Sequence, residues 1–398
     1  MTLMSGVMLG FLAEGIRFDV VSTSGIGGLI GLLYAAPKGK SATQALKELP
    51  NLFVSDVLHR FAPLNFKLFF KNSPFAELAY ELREHLPKIP VDPGSAAPVA
   101  RLINDGMELV ATALTPPSTE SYRNALLSQV SMLEELVDFD ALRDPGCPHR
   151  FYLNAFDLAN QAQQTFGNRN VPNQHVGADA FRAAQAMFLL FPPEHVRGRL
   201  FTTGATHDPT GLQAIWLHER HHLDMVIALD PLSRAIWRHP VNVHDAFQLM
   251  LLNPIMALQV LTLALYAHTE RTINPPLGSN AALELPRLYR IPFDAPPCAI
   301  PSAYYPQMLE WTHANAVTLE RIGYCAATEF AQTLKFREAD LDARYRYAGL
   351  LEDRSLQFLN MFGDLHLFDP EWWRTHPPRD RDSKYAPGGP TRPEERSR

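Results

Sequence analysis

The stretch Ile16–Ala36, IRFDVVSTSGIGGLIGLLYAA, constrains this chain more than any other. Phe18 to Val21 is a short apolar, β-branched run of the kind a buried parallel strand uses. A packet of small residues follows, Ser22-Thr23-Ser24-Gly25-Ile26-Gly27-Gly28, and then an apolar helical run from Leu29 to Ala36. Strand, tight turn and helix form a bend that can hold a serine with its hydroxyl exposed. The backbone N–H groups and dipole of the helix N-terminus would face that hydroxyl and favour developing negative charge. Ser24 is the serine so placed. The usual pattern of such an elbow is Gly-x-Ser-x-Gly; here the outer positions are Ser22 and Ile26, with the glycines displaced by one. The same residues also suit a βα turn whose glycines let helix and sheet pack closely, or a phosphate cradle.

Before this segment, apolar residues at Leu3, Met4, Val7, Met8, Phe11 and Leu12 predict an opening helix ending at Gly15, a natural helix stop. Residues 40–150 read as helices broken by prolines, from Pro63 to the Pro116-Pro117 pair. Phe53, Phe61, Phe66, Phe69, Phe70, Phe75 and Tyr80 lie among them, with Lys67 and Lys71 interleaved. This pattern suits a helical subdomain that buries its aromatics. It also suits an apolar lid whose lysines meet anionic lipid headgroups. Beyond Arg150, FYLNAFDLA and QTFG predict a strand hairpin, Ala178–Leu190 a helix and Gly198–Thr203 a short strand. A helix is expected over about 209–221, opened by Asp208-Pro209 as cap and first residue. LDMVIAL (223–229) and Tyr289–Phe293 then read as strands. Leu249–Tyr266 is apolar enough to suggest a membrane span, but Asn253, Pro254, Gln259 and Thr262 interrupt it and favour a buried helix. Alternating helices and apolar strands make the fold class α/β.

The 398 residues leave room for ample core, and a net charge of −6 without a basic block argues against nucleic acid as a partner. Cys147, Cys298 and Cys325 are far apart and in no metal spacing, which suits reduced thiols. With no signal-peptide pattern at the N-terminus, the expectation is a cytoplasmic protein. The Pro-, Gly- and charge-rich tail 379–398 is expected to be disordered.

Taken in order, these segments resemble the patatin-like phospholipases, serine acyl hydrolases that use a Ser–Asp dyad. GVMLGFLAEGIRFDVVSTSGIGGLIGLLYA is similar to their first helix, strand and nucleophile elbow, where the family writes Gly-Thr-Ser-Ala-Gly. LEELVDFDALRD, FYLNAFDLANQAQQTFGN and FRAAQAMFLLFPPEHVRGRLFTTGATHDP follow in the family's order, and LEWTHANAVTLERIGYCAATEF resembles its closing helix. The resemblance implies a three-layer α/β fold over 1–330 with a mainly parallel sheet and a helical insertion at about 40–150. A helical extension would follow at 331–378. It implies a lipid or phospholipid substrate, peripheral contact with a membrane, no cofactor and no metal. Fatty acyl esters would be cleaved through an acyl-enzyme on Ser24, with Gly25 N–H as an oxyanion donor.

The family's motifs are altered. Its glycine-rich oxyanion loop precedes the first helix, and Met1 falls inside that helix, so either the start lies upstream or the loop is lost. Its Asp-Gly-Ala motif reads Thr203-Gly204-Ala205, with threonine where the catalytic aspartate stands. Asp208 is the candidate base if its loop folds back toward Ser24, with His207 beside it. A chain that lacked an effective base would be a lipid-binding or scaffold member of the fold. Two further features are weighed. Arg182 could meet an anionic headgroup or serve as an exposed helix charge. His218-Glu219-Arg220-His221 matches His-Glu-x-x-His, a zinc pattern, but a strand follows at once and no third ligand stands at a customary spacing.

Overall fold

A computed structural model describes residues 1–61, 66–67, 70–71, 76–91, 97–114, 127–128, 132–169, 171, 174–188, 190–230, 243–273, 285–292 and 311–339. The chain opens on α1 (Thr2–Ala13), β1 (Val20–Ser24), α2 (Gly27–Ala35) and α3 (Ala42–Glu48). The insertion holds α4 (Asp56–Phe61), β2 (Phe70–Lys71), α5 (Ala76–Glu84), α6 (Pro98–Leu114), β3 (Leu127–Ser128), α7 (Met132–Leu136) and α8 (Phe139–Arg143). Next come β4 (Arg150–Asp157), β5 (Ala162–Gly167), α9 (Ala178–Gln185), β6 (Glu194–Val196) and β7 (Arg199–Thr203). A short α10 (Leu212–Ala214) runs into one wide turn (Ile215–Glu219), followed by β8 (Met225–Asp230), α11 (Val243–Ile273), β9 (Arg287–Pro292) and α12 (His313–Ala339). The alternation gives the α/β class expected from the sequence.

Gly15 closes α1 at φ +78°, a conformation that costs glycine little. Its N–H reaches Leu12 O at 3.1 Å and Ile16 N–H reaches Phe11 O at 2.9 Å, the two bonds of a glycine helix stop. The first strand begins two residues later than the apolar run suggests. Phe18 instead packs, partly buried, against the core: its ring meets Phe11 edge-on at 5.1 Å, and its N–H donates to Tyr34 Oη at 2.8 Å.

The sheet is mixed. β1 runs parallel to β4, while β5, β7 and β6 join through antiparallel pairs. Asn154 faces Ser24 on one side and Thr165 on the other, so β1 and β5 occupy opposite edges of β4. Phe156 faces Gln163 and Thr202, so β5 and β7 are opposite as well. β1 and β7 therefore share one edge of β4, end to end. β1 covers Arg150–Asn154 and stops at Ser24, and β7 covers Ala155–Asp157 and stops at Thr203. This meeting of two strand ends places the site.

α2 and α9 cover one face of this sheet. A Cβ at Gly28 would lie 2.8 Å from Leu153, and one at Gly31 2.7 Å from Phe151 and Thr23, so both glycines let α2 sit directly on the strands. A second, parallel pair, β8 and β9, lies between two helical layers. Ile227, Leu229 and Ile291 face α1 and α12, whereas Ala228 and Leu288 face Leu263, Tyr266 and Ala267 of α11. α1 and α12 cross at glycines: a Cβ on Gly6 would overlap Glu320 O, and one on Gly323 would overlap Leu3 O.

Several local expectations are corrected. The helix expected over 209–221 starts at Leu212, after Gly211 takes φ +72°, so Pro209 is not its first residue. The aromatic patch is largely core where it is described: Phe53, Phe66 and Tyr80 are buried. Lys67 is turned inward onto Asp105 at 2.5 Å, not out toward headgroups. Phe69, Phe75 and the tail 379–398 lie outside the described residues. The long apolar helix forms as α11 with Pro254 inside it, but only 28% of Met250–Glu270 is buried. Two helices turn part of their polar residues inward and leave large apolar ones outside. α6 buries Arg101, Asp105, Glu108 and Thr112 and exposes Val99, Ile103 and Val110; α11 buries Gln259 and Glu270 and exposes Met250, Leu261 and Leu265.

Where α12 crosses α1, burial pushes the Glu320 carboxyl up to about 8 from 4.5, with Lys47 and Arg321 pulling it partly back. The folded chain then holds a proton that the unfolded chain releases, so this group lowers stability as pH rises from about 4.5 to 8. Glu320→Gln should flatten that decline and raise the melting temperature by a few degrees at pH 8, as read by thermal unfolding across that range.

Candidate active site at the end of the first strand

β1 delivers Ser24 as its last residue, and Gly25 turns the chain at φ +54° into α2. A Cβ on Gly25 would meet Ala205 at 3.3 Å and Thr203 Oγ1 at 3.8 Å, so the β7 turn closes over the elbow. The α2 N-terminus stands behind the serine, where its free N–H groups favour negative charge. Ile26 is exposed beside it. Ser22, at the position where an elbow has glycine, donates to Gly211 O at 2.6 Å and ties β1 to the loop after β7. Gly211 is needed there, because a Cβ would lie 2.9 Å from Ser22 Oγ.

Ser24 Oγ donates to Asn154 Oδ1 at 2.8 Å. The direction of this bond is fixed by the other end of the amide. Asn154 Nδ2 donates to Asp208 O at 2.8 Å, and a carbonyl oxygen can only accept, so Oδ1 faces the serine and the serine must be the donor. Asn154 is 2% exposed. Gly204 leaves it room, since a Cβ there would overlap the Asn154 carboxamide. Asn154 was not singled out in the sequence. Its signal was faint: a polar residue inside the apolar run FYLNAF, paired with Ser24 only once the register of β4 is known.

Asp208 is brought close through its backbone and not through its carboxylate. Oδ1 accepts from Thr210 N at 3.2 Å and Thr210 Oγ1 at 2.8 Å, and Oδ2 accepts from Gln213 N at 2.9 Å. The carboxylate thus organises the start of α10, and its hydrogen bonds do not include Ser24. His207 stacks on Phe156 at 3.8 Å and bonds to Thr206; partial burial pulls its imidazole below the usual range. Thr203, where the family keeps aspartate, ends β7 with Oγ1 accepting from Ala205 N at 3.2 Å. The three residues that converge on the elbow are therefore Ser24, Asn154 and Thr203.

The remaining sequence candidates have structural roles. Arg182 pairs with Glu194 at 3.0 Å and Glu134 at 3.3 Å. Glu219, of the zinc-like pattern, is fully buried: it pairs with Arg150 at 2.6 Å and accepts from Tyr152 Oη. His218 stacks on Tyr152 and His221 accepts from Arg220, so the pattern's side chains are engaged by neighbours.

The patatin-like phospholipase family profile matches residues 1–216, more than half of the 398-residue chain. The chain belongs to the patatin-like phospholipase family, an α/β family of lipid acyl hydrolases. No curated protein matches it significantly.

Glu219→Ala would leave Arg150 partly buried without its carboxylate. The expected cost is about 3–5 kcal/mol, read as a lower denaturation midpoint with unchanged slope.

Proposed function

We propose that the chain binds fatty acyl esters of lipids at the Ser24 elbow and turns them over much more slowly than a serine hydrolase with a base beside its nucleophile. One observation carries the reading: the Ser24 hydroxyl is hydrogen-bonded to a carboxamide. A serine becomes an effective nucleophile when a neighbouring base takes its proton, and an amide oxygen does not take one at neutral pH. General-base assistance is worth about 10²–10⁴ in rate. Family membership supports lipid as the ligand class, and the elbow supports an ester carbonyl resting over Ser24.

A second reading is hydrolysis by a Ser24–Asp208 pair, favoured by the left-handed Gly25 and the helix N-terminus behind the serine. Ser24 Oγ would attack the ester carbonyl while Asp208 takes its proton, and Gly25 N–H would donate to the oxyanion. The proton would pass to the departing alcohol, and water would then release the fatty acid and restore the serine. This requires the Asp208 carboxylate to leave Thr210 and Gln213 and reach Ser24.

Fluorophosphonate labelling, together with fatty acid release from phospholipid, separates the two. The expected result is little labelling of the natural chain. Thr203→Asp, which puts a carboxylate at the end of β7 beside the elbow, should raise labelling and turnover at least about 10-fold. That gain should vanish when Ser24→Ala is added. Stoichiometric labelling of the natural chain, abolished by both Ser24→Ala and Asp208→Asn, would overturn the first reading in favour of the second.

A further inference from the structure

We infer that the outward face of α11 docks on a lipid bilayer, lying in its plane next to the candidate site. Met250, Leu261 and Leu265 are 60%, 58% and 63% exposed, and Ala257 is exposed between them. Their spacing puts them in one stripe along the helix, about 22 Å long at 1.5 Å per residue. From Ala246 to Thr269 the sequence has no Asp, Glu, Lys or Arg. Two of its long polar side chains are turned the other way: Gln259 is 3% exposed, and Glu270, 4% exposed, pairs with Arg287 at 2.6 Å, while Asn253 and His268 are exposed toward the two ends of the stripe. A helix surrounded by water places its leucines inward and its glutamine outward. This arrangement is reversed, as expected when the medium outside is apolar.

Met250–Glu270 is 21 residues, long enough to cross a bilayer by length and composition. Its opposite face, however, is held by protein: Leu263, Tyr266 and Ala267 pack on Leu212, Ala228 and Leu288. A bilayer can therefore meet one side only, which is the geometry of an in-plane, interfacial helix. The choice of a bilayer over a protein partner rests on the lipid-ester reading above and on position. α11 packs against the Gly204–Thr206 turn, which borders Gly25 and Asn154. Docking by this face brings the elbow to the surface where lipid esters reside. Because the face carries no charge, its attachment is hydrophobic and should be insensitive to salt.

The test is sedimentation of the full chain with phosphatidylcholine vesicles at low and high salt. The expected result is co-sedimentation at both. Leu261→Ser/Leu265→Ser should weaken it at least about 10-fold, the equivalent of 1.4 kcal/mol, with an unchanged melting temperature. Ser24→Ala should sediment like the natural chain, so vesicle binding and the chemistry at Ser24 are read independently. Failure of the natural chain to sediment, or sedimentation of the double variant at the natural level, would overturn the inference. So would loss of vesicle binding in Ser24→Ala. A concentration-dependent dimer in light scattering that the double variant abolishes, without vesicle binding, would assign the face to a second copy instead.

Discussion

The Asn154 side chain joins the parts of the candidate site. It sits on β4 where β1 ends, accepts a hydrogen bond from the Ser24 hydroxyl, and fastens the backbone of Asp208 with its other end. Because the amide has one accepting and one donating end, the backbone carbonyl of Asp208 determines what the serine can do. The loop after β7 is thereby held against the elbow by a backbone contact, while the Asp208 carboxylate remains with Thr210 and Gln213. Small residues make the arrangement possible: Gly204 admits the carboxamide, Gly211 admits Ser22, and Gly25 takes the left-handed turn. The cluster is closed by its own hydrogen bonds, and the group that meets the Ser24 hydroxyl is a carboxamide.

Around it, the helices are arranged by close backbone approach on one side and by inverted polarity on the other. The Gly6 and Gly323 crossing lets α1 and α12 pack as one unit beneath β8 and β9, with Ile227, Leu229 and Ile291 filling the layer between. On the far side of the same strand pair, α11 keeps Leu263, Tyr266 and Ala267 for the core and leaves Leu261 and Leu265 outside. In α6 the inward residues are Arg101, Asp105 and Glu108, and Asp105 is engaged by Lys67 and by the backbone N–H of Ser55. Neither helix has the polarity a solvent-facing surface helix usually shows. In α11 that inversion lies against the turn bordering the elbow, which links the apolar surface to the site.

Much of the local structure was legible in the sequence, because it depends on neighbours along the chain. The strand–turn–helix around Ser24, the glycine stop at Gly15 and the β4–β5 hairpin follow from residue size, backbone freedom and apolar spacing. The family could be read from the order of these segments, and the threonine at 203 from the motif it interrupts. The apolar centre of α11, Leu249–Tyr266, was legible, but neither its full extent, Val243–Ile273, nor its exposure was. An apolar run has the same composition whether its partner is a core or a bilayer, and among the described residues β8 and β9 pack against one side of it.

What the tertiary structure decided was which groups meet. Asn154 is 130 residues from Ser24, and no spacing rule joins them; the parallel register of β1 on β4 does. The fate of Asp208 was equally hidden, since a carboxylate beside a proline can cap a helix or serve a nucleophile. The positive φ of Gly211, which starts α10 late, settles its side-chain partners. Spacing already argued against a metal role for Glu219, but only the fold showed what it does, by placing Arg150 and Tyr152 against it. Sequence determined the elements and their shape because those are short-range, steric matters. Proton acceptors and ion partners depend on strand register and on which two strand ends meet, and those are properties of the assembled sheet.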